Sequence, residues 1–130
     1  MERLEAMKAV SRRWFEDGWG GDIGVFDELG RGEWMAEMSL APQIQAFHAA
    51  FPDLTITVEE QIAEGDKVAT RVHFTGTHLG DLLGIAPTGK RIDGRIIEIH
   101  TFGSSGHVIS VQNDFHPALI LVQLGVLKEA

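Results

Sequence analysis

The run Ile96-Ile97-Glu98-Ile99 sets one carboxylate inside an otherwise apolar stretch, and Glu98 is the residue best suited to moving a proton in this 130-residue chain. Alternation along an extended segment puts Glu98 on one face with Ile96, His100 and Phe102. If that face lines a pocket, Glu98 is withdrawn from water, the setting in which carboxyl groups do general acid/base work. The competing arrangement turns it outward to pair with a basic neighbour such as Arg71. A second set of chemistry-bearing residues precedes Pro117. Val111, Asn113 and Phe115 share one face there, and Gln112, Asp114 and His116 share the other. Only one set can face a cavity unless a bulge intervenes. A bulge near the proline would turn Asp114 and His116 inward, as a carboxylate and an imidazole able to exchange a proton. The bland alternative is a solvated strand end.

The remaining candidates are weaker. His48 sits on an apolar stripe and could reach a pocket or serve as a hydrogen-bonded core residue. His73, between Val72 and Phe74, is a secondary pocket candidate. His78 belongs to a loop motif, where fixing the loop is the expected role, and His107 falls at a turn. Trp14, Trp19, Trp34 and the phenylalanines read first as core; Trp34, Phe102 and Phe115 are the ones placed as cavity lining. The spacing of His100, Asp114 and His116 is not diagnostic of a metal, so no metal site is assigned.

These residues need elements to position them. Leu4, Met7, Val10 and Trp14 recur at helical spacing and predict a helix over 2–17, with Gly18 as its stop. Asp22 is placed to cap a second short helix through Phe26 and Leu29, ended by Gly30. Pro42 suits the first turn of a third, in which Ile44, Phe47, His48 and Phe51 share a face before Pro52 stops it. From Leu54 the period becomes two. Strands are expected over 54–63, 67–78, 90–102 and 107–116, with Glu64-Gly65-Asp66 and Gly103-Ser104-Ser105-Gly106 as turns and Ala118–Leu124 as a terminal helix or turn. Helices followed by an antiparallel meander imply an α+β fold, a curved sheet capped by N-terminal helices and enclosing a pocket. Between the second and third strands lies a long loop, Gly76 to Arg91, with four glycines and a proline; such a loop is expected to rim the mouth and carry function.

Composition narrows the partners. The length suits a single domain, 1–130. No apolar run approaches the ~20 residues that span a bilayer, and the charged N-terminus lacks a signal-peptide core, so cytoplasmic location is the expectation. Without cysteine there are no disulfides or thiolate sites. A net charge of −8 disfavours nucleic acid and anionic membranes and favours a small molecule or a second copy of the chain. The glycine-rich loop follows a strand but opens no helix, so it is no phosphate cradle.

Phe51-Pro52-Asp53-Leu54, Glu64-Gly65-Asp66-Lys67-Val68, Gly76-Thr77-His78-Leu79-Gly80, Gly84-Ile85-Ala86-Pro87-Thr88-Gly89-Lys90-Arg91 and Gln123-Leu124-Gly125, in this order, resemble the SnoaL-like polyketide cyclases of the nuclear-transport-factor-2-like superfamily. The resemblance implies an α+β barrel or cone, often paired as a homodimer through its sheet. It also implies ring closure of hydrophobic, carbonyl-bearing molecules by intramolecular aldol chemistry, without metal or organic cofactor. By the same resemblance the cyclases' acid/base aspartate falls on Asn113, with Asp114 beside it, and their partner histidine falls near Glu98. His116 and Gln112 stand where many relatives carry aspartate and tryptophan, and Thr101 stands for an arginine. The expected function is a cyclase or isomerase with Glu98, Asn113, Asp114 and His116 as catalytic candidates and His100, His73, Phe102, Phe115, His48 and Trp34 around the substrate. The alternative is a non-catalytic binding or dimerisation module of the same fold.

Overall fold

Four antiparallel strands, β1 (Thr55–Glu64), β2 (Lys67–Thr77), β3 (Arg91–Phe102) and β4 (Val108–Asn113), form one sheet in the order β1-β2-β3-β4. The computed structural model describes residues 2–127. Before the sheet come α1 (Glu2–Arg13), a π-helical turn (Trp14–Trp19), α2 (Val25–Leu29), α3 (Trp34–Met38) and α4 (Leu40–Ala50); α5 (Pro117–Gln123) follows it. Alternation decides which strand residues meet the helices. Val68, Thr70, Val72 and Phe74 of β2 are buried on the inner face, as are Ile92, Gly94, Glu98, His100 and Phe102 of β3. The expected α+β architecture, a curved sheet covered by the N-terminal helices, is what forms.

Two expectations at the helix ends are corrected. Gly18 does not stop the first helix but lies buried within the π-helical turn, where a Cβ would stand 2.4 Å from the Phe26 ring. The turn ends at Gly20-Gly21, with Gly21 at φ +126°. Asp22 does not cap α2 with its side chain. Gly24 holds the N-cap position, and the Val25 N–H donates to the Asp22 carbonyl at 3.2 Å.

The last strand ends at Asn113 rather than His116. Asp114 makes the next rung with its own side chain: Oδ1 accepts the Ile97 N–H at 2.8 Å, while the Asp114 N–H donates to the Ile97 carbonyl at 3.3 Å. His116 is then the N-cap residue of α5, with Pro117 at its first position, where a missing N–H costs nothing.

The 78–90 segment is held as a clamp. His78 N–H donates to Lys90 O at 2.8 Å, and the Leu79 and Gly80 N–H groups both donate to Ala50 O at the end of α4. Within it Leu82 and Ile85 exchange backbone bonds across Leu83 (φ 48°) and Gly84 (φ 88°), a tight turn of the type I′ kind.

Two apolar clusters fill the space under the sheet. One gathers Met7, Trp14, Phe15, Phe26 and Ile44 with Val68, Val72 and Phe102; the other gathers Phe51, Phe74, Leu82, Ile92, Ile120 and Leu124. Ile56 and Ile96 pack against both. Burying such side chains contributes about 1.5–3 kcal/mol each. The seam between the clusters is where a gap remains.

Candidate active site

That gap is a cavity of about 100 Å³, lined from the helices by Phe15, Trp19, Phe47 and Ile120, and from the sheet by Val72, Phe74, Ile92, Ile96 and Glu98, with Asn113 and Phe115 at the end of β4. Phe15 and Trp19 come from the π-helical turn, one of the rare helix geometries found often at functional sites. Leu54 and Ile56 close the wall beside β1. Gly94 makes room for the Phe74 ring of the lining: a Cβ there would lie 2.5 Å from that ring and 3.2 Å from Leu119.

Apart from the Trp19 indole, Glu98 and Asn113 are the polar side chains of the lining. They are paired in register across β3 and β4, so both point to the same face. Glu98 is 5% exposed. Isolating a carboxylate this way costs on the order of several kcal/mol, so its partners matter. Glu98 Oε1 lies 2.7 Å from His100 Nε2, and Asn113 Nδ2 donates to Oε2 at 3.5 Å, the outer limit of a hydrogen bond. The amide of Asn113 is oriented by its other end, because Oδ1 accepts the Phe115 N–H at 3.0 Å. Its NH₂ group therefore faces Glu98 and the cavity.

Behind Glu98 the polar chain continues into the interior. His100 is fully buried, with Nδ1 2.8 Å from Ser11 Oγ on α1. Its ring stacks on Phe15 (centroids 5.4 Å apart, 15° between planes) and meets the edge of Trp14. His100 thus does not touch the cavity; it holds the group that does.

The other sequence-level candidates lie elsewhere. Asp114 is exposed and spent on the Ile97 rung, and His116 is an exposed cap residue, because no bulge forms ahead of Pro117 to turn them in. The register shift in this strand pair falls instead between Thr101 and Phe102. His73 faces outward, where Nε2 meets Asp93 Oδ1 at 2.7 Å. Arg71 is on that same outer face, paired with Glu59 and Glu60 rather than with Glu98. His48 bonds the Trp19 carbonyl at 2.8 Å, and Trp34 stacks on Trp14 and donates to Arg31 O. Phe102 is buried in the first cluster behind His100, whereas Phe115 does line the cavity. Among the described residues no three His, Asp or Glu side chains converge as a metal-binding set, and His100, Asp114 and His116 are far from sharing one.

The long loop also departs from expectation. Among the described residues it contributes no lining; Leu82 packs into the second cluster, and the rest ties β2 and β3 to α4. His78 does fix it, Nδ1 accepting the Thr88 N–H at 3.1 Å. Phe15, Trp19, Phe47 and Ser11 were not singled out from sequence. The signal for Ser11 was there: it sits between Met7 and Trp14 at i+4 and i+7, a hydroxyl on the buried stripe of α1.

A profile of the SnoaL-like polyketide cyclases matches residues 36–113. Among solved structures, the chain is similar to AclR of Streptomyces galilaeus, a proposed hydroxylase (26% identity, TM-score 0.80, 98% of this chain and 85% of that one). A proposed SnoaL-like polyketide cyclase from Jannaschia sp. CCS1 shares the fold at 23% identity and TM-score 0.78, covering 95% and 94%. IdmH of Streptomyces antibioticus, a proposed polyketide cyclase, does so at 23% and 0.74, covering 92% and 99%. No curated protein matches the sequence. With the profile spanning more than half its length, from α3 through the whole sheet, the chain belongs to the SnoaL-like polyketide cyclase family.

Proposed function

We propose that the protein is a cyclase or isomerase acting on a hydrophobic, carbonyl-bearing small molecule by proton transfer, with Glu98 as base and Asn113 as hydrogen-bond donor to the carbonyl. The observation that carries this reading is an apolar cavity into which one carboxylate and one oriented amide NH₂ project side by side. A carbon–hydrogen bond next to the carbonyl breaks, its proton passing to Glu98 Oε2 and its electron pair to the carbonyl oxygen. Asn113 Nδ2 stabilises that enolate. In ring closure the enolate carbon bonds to a second carbonyl carbon of the same molecule, and the resulting alkoxide takes the proton back from Glu98. In isomerisation Glu98 returns the proton to a different carbon. Both cycles restore Glu98 without a cofactor. A ring-sized apolar group fills the cavity, and the rest of the substrate extends past Asn113, which is exposed at the mouth. Two copies pair through the outer sheet face, where Ile97 and Ile99 are exposed.

The test is deuterium exchange in D₂O, followed by NMR, at the acidic carbon of a cyclic β-keto ester bearing one aromatic ring. Glu98→Gln is expected to slow the enzyme-dependent exchange by about 10²–10⁴. Its melting temperature should hardly move, because the amide oxygen still accepts from His100. Unchanged exchange in that variant sinks the reading, and lost stability with retained exchange makes Glu98 structural.

A second reading, a binding module that kept the pocket and lost the chemistry, is favoured by Asn113 standing where the cyclases carry their acid/base aspartate. Tight binding of the probe with no exchange at all would select it.

A further inference from the structure

We infer that Ser11 and His100 are positioning residues that fix the proton pattern behind the cavity, so that Glu98 meets its substrate as a carboxylate with an unprotonated Oε2 turned to the cavity, a base rather than an acid. This rests on the proton-transfer reading above for its consequence, whereas the tautomer of His100 is tested independently of it.

The chain Ser11–His100–Glu98 superficially matches the serine, histidine and acid of a hydrolase. Its orientation excludes that role. Ser11 is fully buried on α1 and does not line the cavity, whereas the carboxylate does. A nucleophile must reach the substrate; here the serine is at the far end from it.

What the arrangement can do follows from counting donors and acceptors. A hydroxyl has one hydrogen to give, and a neutral imidazole has one N–H and one acceptor nitrogen. Among the described residues the only hydrogen-bond partner of Ser11 Oγ is His100 Nδ1, at 2.8 Å. If Ser11 donates to Nδ1, then Nε2 carries the hydrogen and donates to Glu98 Oε1 at 2.7 Å, which requires Oε1 to be an unprotonated acceptor. Every side-chain donor among Ser11, His100 and Glu98 is then satisfied. If instead Glu98 carried the proton and donated to Nε2, Nδ1–H would donate to Ser11, and the serine hydrogen would be left in a dry core with no acceptor. A doubly protonated ring leaves the same orphan. Buried unmet donors are the costly and rare arrangement.

Packing removes the escape routes. The ring is held between Phe15, Trp14 and Phe102, so it cannot turn to exchange its nitrogens without displacing the core. Asn113 completes the pattern from the other side, since its oxygen is taken by the Phe115 N–H and only N–H groups face Glu98. Oε1 is therefore engaged from behind, and Oε2 carries the lone pair that faces the cavity.

The experiment is ¹H–¹⁵N long-range correlation NMR of ring-labelled histidine at pH 7, with His100 assigned by the signal lost in His100→Gln. The expected pattern for His100 is a bare Nδ1 and a protonated Nε2. A protonated Nδ1 overturns the inference, while leaving the proton-transfer reading to stand or fall on the exchange assay. Ser11→Ala removes the donor to Nδ1 and should shift that nitrogen's resonance. It should also slow exchange of the β-keto ester about tenfold at unchanged probe affinity. An unmoved Nδ1 resonance, or full-rate exchange despite a moved one, refutes the positioning role. If Ser11→Ala does not fold, the wild-type spectrum decides alone.

Discussion

At the scale of single residues, the proposed site sets a carboxylate on β3 against an amide on β4. By the family resemblance, the acid/base aspartate falls on Asn113 of β4, and the histidine partner falls near Glu98. Those two positions face each other in register, with Glu98 Oε2 3.5 Å from Asn113 Nδ2. Two carboxylates at that separation cannot both ionise readily. An amide opposite Glu98 avoids that repulsion. Asn113→Asp should fold best in acid, the two carboxyls sharing one proton and titrating as a pair. Because like charge raises the pair's folded-state pKa above the unfolded value, stability is present below it and lost as pH rises through it. Denaturant unfolding from pH 4 to 8 checks this: a variant whose midpoint falls toward pH 8 while the wild type does not is the expected result. Glu98 could be seen in sequence because strand alternation is rigid. Asp114 and His116 could not be placed, because a side chain capping a rung looks like any polar residue near a strand end.

At the scale of elements, the turn between α4 and β1 shows how a motif earns its place. Phe51 packs beneath Gly76, where a Cβ would come within 3.0 Å of it. Asp53 then ties the turn to the end of β2, Oδ1 accepting the Thr77 N–H at 2.6 Å and Oδ2 the Thr77 hydroxyl at 2.7 Å. The Thr77 hydroxyl first, then its N–H and the nearby Arg91, hold the Asp53 carboxyl below the usual range. A depressed folded pKa gives stability that is present above the unfolded value, about 3.9, and lost as pH falls through the folded one. Thermal melts from pH 5 to 2 should therefore show a decline that starts below about pH 4. Asp53→Asn should lower the melting temperature at pH 7 and flatten that decline; an equally steep decline would remove Asp53 as a contributor. The long loop belongs to this same clamp, since Leu79 and Gly80 hang from Ala50. Its glycines build in a shape, with Gly84 and Gly89 at φ 88° and 72°. Shape alone does not say whether a loop serves a site or a junction.

For the whole molecule, the helices cover one face of the sheet and leave the other open. That outer face mixes ion pairs, Glu59 with Arg71 and Arg95, with the exposed Ile97 and Ile99. The net charge is −8, and no helix among the described residues is long and apolar enough to cross a membrane. Pairing through this face predicts a dimer mass by sedimentation equilibrium, and Ile99→Lys should shift it to the monomer. A wild-type monomer at tens of micromolar would end the dimer proposal.

The sequence by itself determined the order of elements, which strand residues share a face and the family, because backbone periodicity and turn chemistry are local and repeat every few residues. Only the tertiary structure decided which apolar side chains stop short of one another and leave a cavity, and that a hydroxyl from α1 meets His100 across 89 positions of chain. Those are matters of packing between distant segments, where a shift of one side chain opens or fills the gap and no local pattern records it.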